Sequence, residues 1–225
     1  MLPRVAAKAV SILTVLRAEI IDGTIPAGTR LKEEAIASRF GVSRVPIREA
    51  LLQLESEGFI HTEKYKGATV STRSEQDVVE LMQVRRGLEM LAASLAAEAH
   101  GGDQIDNLQA VVERGRRAGD AGVVDELPPL ILEFHQVVAR ASGNAQLARM
   151  LDGLLQRIAW GFELEIEHRI DTSWADHAAI ATAILGGSAV QAGYLMDEHI
   201  RKDEQIYRRH AAALQQQDRI RTPHV

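Results

Sequence analysis

Apolar residues recur at helical spacing along most of the chain, and the stretch that breaks this rhythm is short. From Val5 to Asp22, the residues Val10, Leu13, Leu16, Ile20 and Ile21 share one side, as in an amphipathic helix. Gly23-Thr-Ile-Pro-Ala-Gly28 interrupts the pattern with turn chemistry. A short helix is predicted over Lys32–Phe40, with Gly41 in the position where a left-handed residue ends a helix. Ser43 stands where an N-cap is expected and Pro46 falls in the first turn, where a missing N–H costs little. The helix they open runs to about Glu57 and closes at Gly58. Two short β-prone pieces follow, Phe59–Thr62 and Ala68–Thr72, around the polar turn Glu63-Lys-Tyr-Lys-Gly67, which together predict a small hairpin.

From Ser74 onward the pattern is helical throughout. Ser74 with Asp77 three residues later predicts a capping box at the head of a helix reaching about His100. Further helices are expected over Gln104–Ala118, from Pro128-Pro129 to Ala141, over Ala145–His168, and from Asp171 to the Gly186-Gly187 pair. A last helix runs from about Ser188 past Tyr207, and Gln215–Val225 is expected to fray. Three helices with a hairpin, then six helices, give a mainly α fold of two domains. Residues 1–73 form a winged helix-turn-helix, and residues 74–225 form an all-α six/seven-helix bundle. The boundary near Arg73 has almost no linker, so the two domains are expected to be mechanically coupled.

Composition narrows the function classes. The 225 residues are 46% hydrophobic and 25% charged, which excludes wholesale disorder. No apolar run approaches the roughly 18–20 residues of a membrane span, and no signal-peptide pattern opens the chain. The absence of cysteine excludes disulfides, thiolate zinc sites and cysteine nucleophiles, so a cytoplasmic protein without a membrane partner is expected. The net charge of −5 conceals a division. Residues 1–72 carry ten Lys/Arg and eight Asp/Glu, a balance of +2, whereas the remainder carries 16 and 23, a balance of −7. A basic module joined to an acidic one points to polyanion binding by the first domain.

The third helix carries the chemistry for that binding. In Ser43–Leu54, Ile47, Ala50, Leu51 and Leu54 form one stripe for packing, while Arg48 lies about 100° round from its centre. Arg44 sits in the opening turn, the part of a recognition helix that enters the major groove first. Two arginines there suit bidentate contacts to guanine or clamps on phosphate. Lys64 and Lys66 beside Gly67 make the hairpin turn basic enough to approach a DNA backbone or minor groove. On charge alone, ordinary surface arginines explain the pattern equally well. The string Leu31-Lys-Glu-Glu-Ala-Ile-Ala-Ser-Arg-Phe-Gly-Val-Ser-Arg-Val-Pro-Ile-Arg-Glu-Ala-Leu-Leu-Gln-Leu-Glu-Ser-Glu-Gly-Phe59 resembles the DNA-binding domain of GntR-type bacterial transcriptional regulators. The resemblance implies that Ser43, Arg44, Val45 and Arg48 contact the groove and phosphates of double-stranded operator DNA. Lys66 and Gly67 fall where the family's wing meets DNA.

The helical domain resembles the FCD branch of that family, the branch named for FadR. Arg85-Arg-Gly-Leu-Glu89, Phe134-His-Gln-Val-Val-Ala-Arg-Ala-Ser-Gly-Asn144 and His177-Ala-Ala-Ile-Ala-Thr-Ala-Ile-Leu-Gly-Gly187 with His199 match its pieces. Independently of family, His135, His177 and His199 lie on three predicted helices among apolar neighbours. Converging neutral imidazoles suit Zn²⁺ or Ni²⁺, with a further position for water or an effector carboxylate. Three unrelated histidines are the alternative, and His61, His100, His168, His210 and His224 are read as structural or surface residues. The resemblance implies His135, His177 and His199 as metal ligands, and Arg85 and Asn144 as contacts for a small carboxylate effector. An exposed Arg85 paired with Glu89 at i+4 is the other reading of that residue. One departure stands out: metal-binding members carry Asp four residues before the first histidine, and here that residue is Ile131. Glu133, two residues from His135, points elsewhere on the helix.

The expected function is that of a homodimeric, ligand-responsive DNA-binding transcriptional regulator, not an enzyme. One alternative is a metal-free regulator holding an acyl or apolar ligand. A remote one is a metallohydrolase, which needs a base beside a metal-bound water, and no spacing ties Glu133, Glu163 or Glu167 to that place.

Overall fold

The structure, a computed structural model, describes residues 2–63, 67–72, 74–162 and 170–221, and the chain divides into two units, Met1–Arg73 and Ser74–Val225. Arg73 itself lies outside the described residues.

The first unit runs α1 (Leu2–Ile21), β1 (Arg30–Leu31), α2 (Glu33–Phe40), α3 (Arg44–Ser56), β2 (Ile60–Glu63) and β3 (Gly67–Val70). Helix α1 buries Ile12, Leu16 and Ile20 at fourfold spacing. Leu13 and Ile21 are only half-buried, so the stripe lies a little round the helix from the expected one, and the side chain of Val10 lies outside the described residues. Helix α3 buries Pro46, Ile47, Ala50, Leu51 and Leu54 and packs on α1 and α2. Arg17 on α1 donates to both oxygens of Glu57 just past α3, at 2.8 and 2.7 Å, and Arg39 on α2 pairs with Glu19 on α1. Gly41 takes φ 62°, a left-handed conformation with no steric cost for glycine, and so turns the chain sharply from α2 into α3.

The three strands form an antiparallel sheet in the order β1-β3-β2, with Ile60 opposite Val70 and Glu63 opposite Gly67. The sequence reading missed β1, because two residues are too few to show a period. Its pairing with β3 is extended by Gly28, whose N–H donates to the Val70 carbonyl, and by Thr29, whose carbonyl accepts from Val70. The expected turn residues Lys64 and Lys66 lie outside the described residues.

The second unit comprises α4 (Glu75–Glu98), α5 (Ile105–Asp120), α6 (Leu127–Ala141), α7 (Ala145–Phe162), α8 (Ile170–Leu185) and α9 (Ala189–Arg221), with short 3-10 turns at Gly102–Gln104 and Val124–Glu126. Both halves of the capping box form: Ser74 accepts from the Asp77 N–H, and the Asp77 carboxylate accepts from the Ser74 N–H. The proline pair opens α6, as its missing N–H groups require. Helix α9 continues through Gln215 to Arg221, past the point where fraying was expected. The expected helix end at His168 and the last four residues lie outside the described residues.

Helix α4 presents a face of fully buried alanines, Ala92, Ala93, Ala96 and Ala97. Arg85–Asp203, Arg86–Asp197 and Ser94–Ala189 contacts run in opposite chain directions, so α4 and α9 are antiparallel. Among the described residues no helix is long and apolar enough to cross a membrane.

Gly115 stands inside α5, where glycine costs about 1 kcal/mol relative to alanine. A Cβ there would overlap the six-membered ring of Trp174, so the glycine is a notch for that side chain. Gly115→Ala is therefore expected to lower stability by about 1–3 kcal/mol, overpacking outweighing helix propensity. Gly153→Ala in α7, where an added Cβ meets nothing within 4 Å, is expected to raise stability by about 0.5–1 kcal/mol. Urea unfolding of the two variants, moving in opposite directions, checks both.

Candidate functional site

The head of α3 stands clear of the first unit's core. Arg44 and Arg48 have 55% and 62% of their side chains exposed, while Ile47 between them is fully buried. The buried stripe therefore fixes the helix, and the arginines project from its other side. Ser43 occupies the N-cap position, but its side chain makes no capping hydrogen bond. Val45 is exposed beside them. Gly67 opens β3 with φ 83°, a left-handed value that favours glycine, and the Arg30 guanidinium lies beside it. Arg30 is an exposed cation on the sheet that sequence reasoning missed, because only the pairing of β1 with β3 brings it to the wing. The arginines of α3 are paired in turn with α2: Arg44 donates to Glu34 at 3.0 Å, and Arg48 donates to Glu33 at 2.9 Å.

In the second unit, His135 on α6, His177 on α8 and His199 on α9 converge in the buried interior. One ring nitrogen from each lies within 4.8 Å of the others. The Nε2 atoms of His177 and His199 are 3.2 Å apart. Two imidazoles on a tetrahedral ion with bonds of about 2.0–2.1 Å stand roughly 3.3–3.4 Å apart, so that pair already has the required separation. Phe134 and Trp174 wall the group, with ring centroids 4.2 and 4.6 Å from that of His177.

Beside the imidazoles lies a network that the motif reading largely missed. Arg85 is 3% exposed, which corrects its reading as a surface arginine, although the expected i+4 pairing with Glu89 is present at 2.5 Å. It also donates to Asp203 at 3.0 Å and to His135 Nε2 at 2.9 Å. A guanidinium has donors only, so His135 Nε2 accepts and its proton resides on Nδ1, which faces the second oxygen of Glu89. Burial pushes the Glu89 carboxyl up, but His135 and Arg85 beside it outweigh burial and bring it down to about 2. Asp176 lies 3.7 Å from His199 Nδ1 and binds Lys202 at 2.8 Å. Its carboxyl is lowered, first by His199, against partial burial, and then by Lys202. Glu89 and Asp203 were legible as i+4 neighbours of Arg85 and His199, but only packing shows that both enter the same interior.

The other expected residues are placed elsewhere. Asn144 is exposed, and its carboxamide oxygen accepts from the N–H groups of Gln146 and Leu147 at 3.1 Å, a helix cap for α7. Glu133 pairs with Arg114 on the surface. Ile131 packs against the core one turn from His135. His61 and His100 are exposed, and His168, His224 and the side chain of His210 lie outside the described residues.

Residues 8–70 match the gntR family of bacterial regulatory proteins, and residues 80–202 match the FCD domain. The chain belongs to the GntR family. The HTH-type transcriptional regulator YdhC of Bacillus subtilis is 30% identical to this GntR protein over 168 residues, 73% of the chain and 75% of YdhC. The gluconate operon transcriptional repressor of Bacillus licheniformis is 28% identical over 175 residues, 78% of the chain and 72% of the repressor. E. coli McbR/YncC shares the fold, with a TM-score of 0.76 at 20% identity over 90% of this chain and 98% of that one. This GntR protein is thus a DNA-binding transcriptional regulator, from a family of regulators and not of enzymes.

The buried guanidinium makes a sharp stability prediction. Glu89→Ala leaves Arg85 short of one buried counter-charge and His135 without its Nδ1 acceptor, and is expected to cost about 3–5 kcal/mol in urea unfolding. Glu133→Ala, which breaks an exposed pair, is expected to cost about 0–1 kcal/mol under the same conditions.

Proposed function

We propose that the protein is a homodimeric, ligand-responsive regulator whose helical domain takes a small carboxylate effector at a divalent metal held by His135, His177 and His199. The observation that carries this reading is the meeting of three imidazoles from three helices in a buried interior that also holds a guanidinium. With His135 neutral, Arg85 against Glu89 and Asp203 leaves one negative charge. A divalent ion reverses that balance to one positive charge, which suits a single carboxylate. The ion supplies Lewis acidity toward that carboxylate when bound. Zn²⁺ and Ni²⁺ both fit the nitrogen donors. A relative that represses a gluconate operon is compatible with a sugar-acid effector.

A metal-free reading is favoured by one specific contact: Arg85 already uses the His135 Nε2 lone pair that a metal needs, and Ile131 replaces the family's carboxylate. In that reading the bundle interior takes an acyl or apolar ligand. Elemental analysis of untagged protein, reconstituted at neutral pH, decides between them. About one Zn²⁺ or Ni²⁺ per chain, lost in His177→Ala and bound more tightly in Ile131→Asp, is expected. No bound metal and no thermal shift on adding either ion would leave the metal-free reading.

In the first unit, Ser43, Arg44, Val45 and Arg48 of the helix-turn-helix, with Lys66 and Gly67 of the wing, meet operator DNA. A single winged helix makes too few phosphate contacts for tight specific binding, so a two-fold dimer reading a pseudo-palindrome is required. Arg48→Ala is expected to weaken operator binding by about 1–3 kcal/mol without loss of fold, since its side chain lies outside the buried stripe. Operator titration at fixed salt, with thermal unfolding alongside, measures both.

A further inference from the structure

The two arginines at the head of α3 are held in different ways by two adjacent glutamates at the head of α2. Glu33 places both carboxylate oxygens on Arg48 Nε, at 3.0 and 2.9 Å. Among the described residues Arg48 has no other hydrogen-bonding partner, so Nη1 and Nη2 remain at the exposed end of the side chain. Glu34 instead takes Arg44 through Nη2, with a single contact at 3.0 Å, and is itself 83% exposed.

The difference matters because a guanidinium is a rigid planar fork. It can approach a guanine O6/N7 edge end-on, with Nη1 and Nη2, or side-on, with Nε and Nη2. A carboxylate on Nε leaves the end-on pair free and, by holding one edge of the plane, fixes the direction of the other. A carboxylate on Nη2 obstructs both approaches. We propose that Glu33 is a positioning residue that aims Arg48 at a base edge, and that Glu34 is a displaceable competitor that DNA must remove from Arg44. Glu33 thereby sets sequence specificity, while Glu34 lowers affinity for all DNA alike. The proposal rests on the assignment of α3 as the helix that meets operator DNA.

Both glutamates also lie in the first turn of α2, where acidic side chains favour the helix terminus. A role confined to that effect changes thermal stability and leaves the DNA sequence selected unaltered. The test is therefore a selection from randomised duplex DNA of about 30 base pairs, run with full-length wild type, Arg48→Ala, Glu33→Gln and Glu34→Gln. Affinities for the wild-type consensus and for an unrelated duplex of equal length are measured at one salt concentration, together with thermal midpoints.

Wild type is expected to enrich a G·C pair whose identity is lost with Arg48→Ala. Glu33→Gln is expected to blur that same pair, and to lower the ratio of specific to non-specific affinity by ~3- to 10-fold. Non-specific affinity rises in that variant, because a negative charge has left the DNA-facing side. Glu34→Gln is expected to keep the motif and to raise both affinities in step. An unchanged motif and ratio in Glu33→Gln, with or without a lowered thermal midpoint, would overturn the proposal. If Arg48→Ala itself leaves the enriched motif intact, Arg48 is no base reader and the assignment of α3 contacts fails separately from any effect of Glu33.

Discussion

The second unit is organised around the hydrogen-bonding demands of a single guanidinium. Arg85 cannot accept a hydrogen bond and cannot lose its charge, and it has almost no access to solvent. Its interior partners are therefore dictated: a carboxylate one turn away on its own helix, a second carboxylate from α9, and an imidazole from α6. Each must be present in a defined state. Glu89 must be ionised, as its depressed pKa indicates, and His135 must carry its proton on Nδ1. Three helices that are distant in sequence are thus tied at one point by charge, and α9 comes close to α4 where Gly193 lies against Ser94.

This arrangement gives His135 one lone pair and two competing uses for it. While Arg85 donates to Nε2, that nitrogen cannot serve as a ligand; once Arg85 is released, the same tautomer offers its lone pair inward. The Nδ1–Glu89 contact is compatible with both, because it holds the ring from the opposite side. His177 and His199 already stand at a suitable separation.

Most of the architecture was legible in the sequence, for identifiable reasons. Ser74 and Asp77 announce the start of α4 because a capping box depends only on residues three apart. Gly41 marks the turn into α3 because few other residues tolerate its φ. Strand β1 escaped detection, since its two residues owe their conformation to a partner almost forty positions away. The same division holds at the candidate sites. The three histidines could be named from their match to the family's motifs, and the structure brings them together. Arg85 was read either as an effector contact or as an exposed partner of Glu89, and its burial depends on α9, which no local pattern reports. Asn144 lies in a recognisable motif, but its side chain serves the backbone of the next helix.

The notch at Gly115 has a consequence for how this sequence can change. Residue 115 and residue 174 lie on different helices, but neither is free to vary alone. While tryptophan fills the notch, every larger residue at 115 collides with it; once tryptophan is replaced by a smaller side chain, glycine loses its justification and leaves a void. A lineage moving to another pair must therefore cross a less stable intermediate, and the shallower crossing alters position 174 first, because a void can partly collapse and a side chain driven into the Trp174 ring cannot. Since Trp174 also lies against His177, that first step would alter the wall of the histidine cluster before any ligand residue had changed.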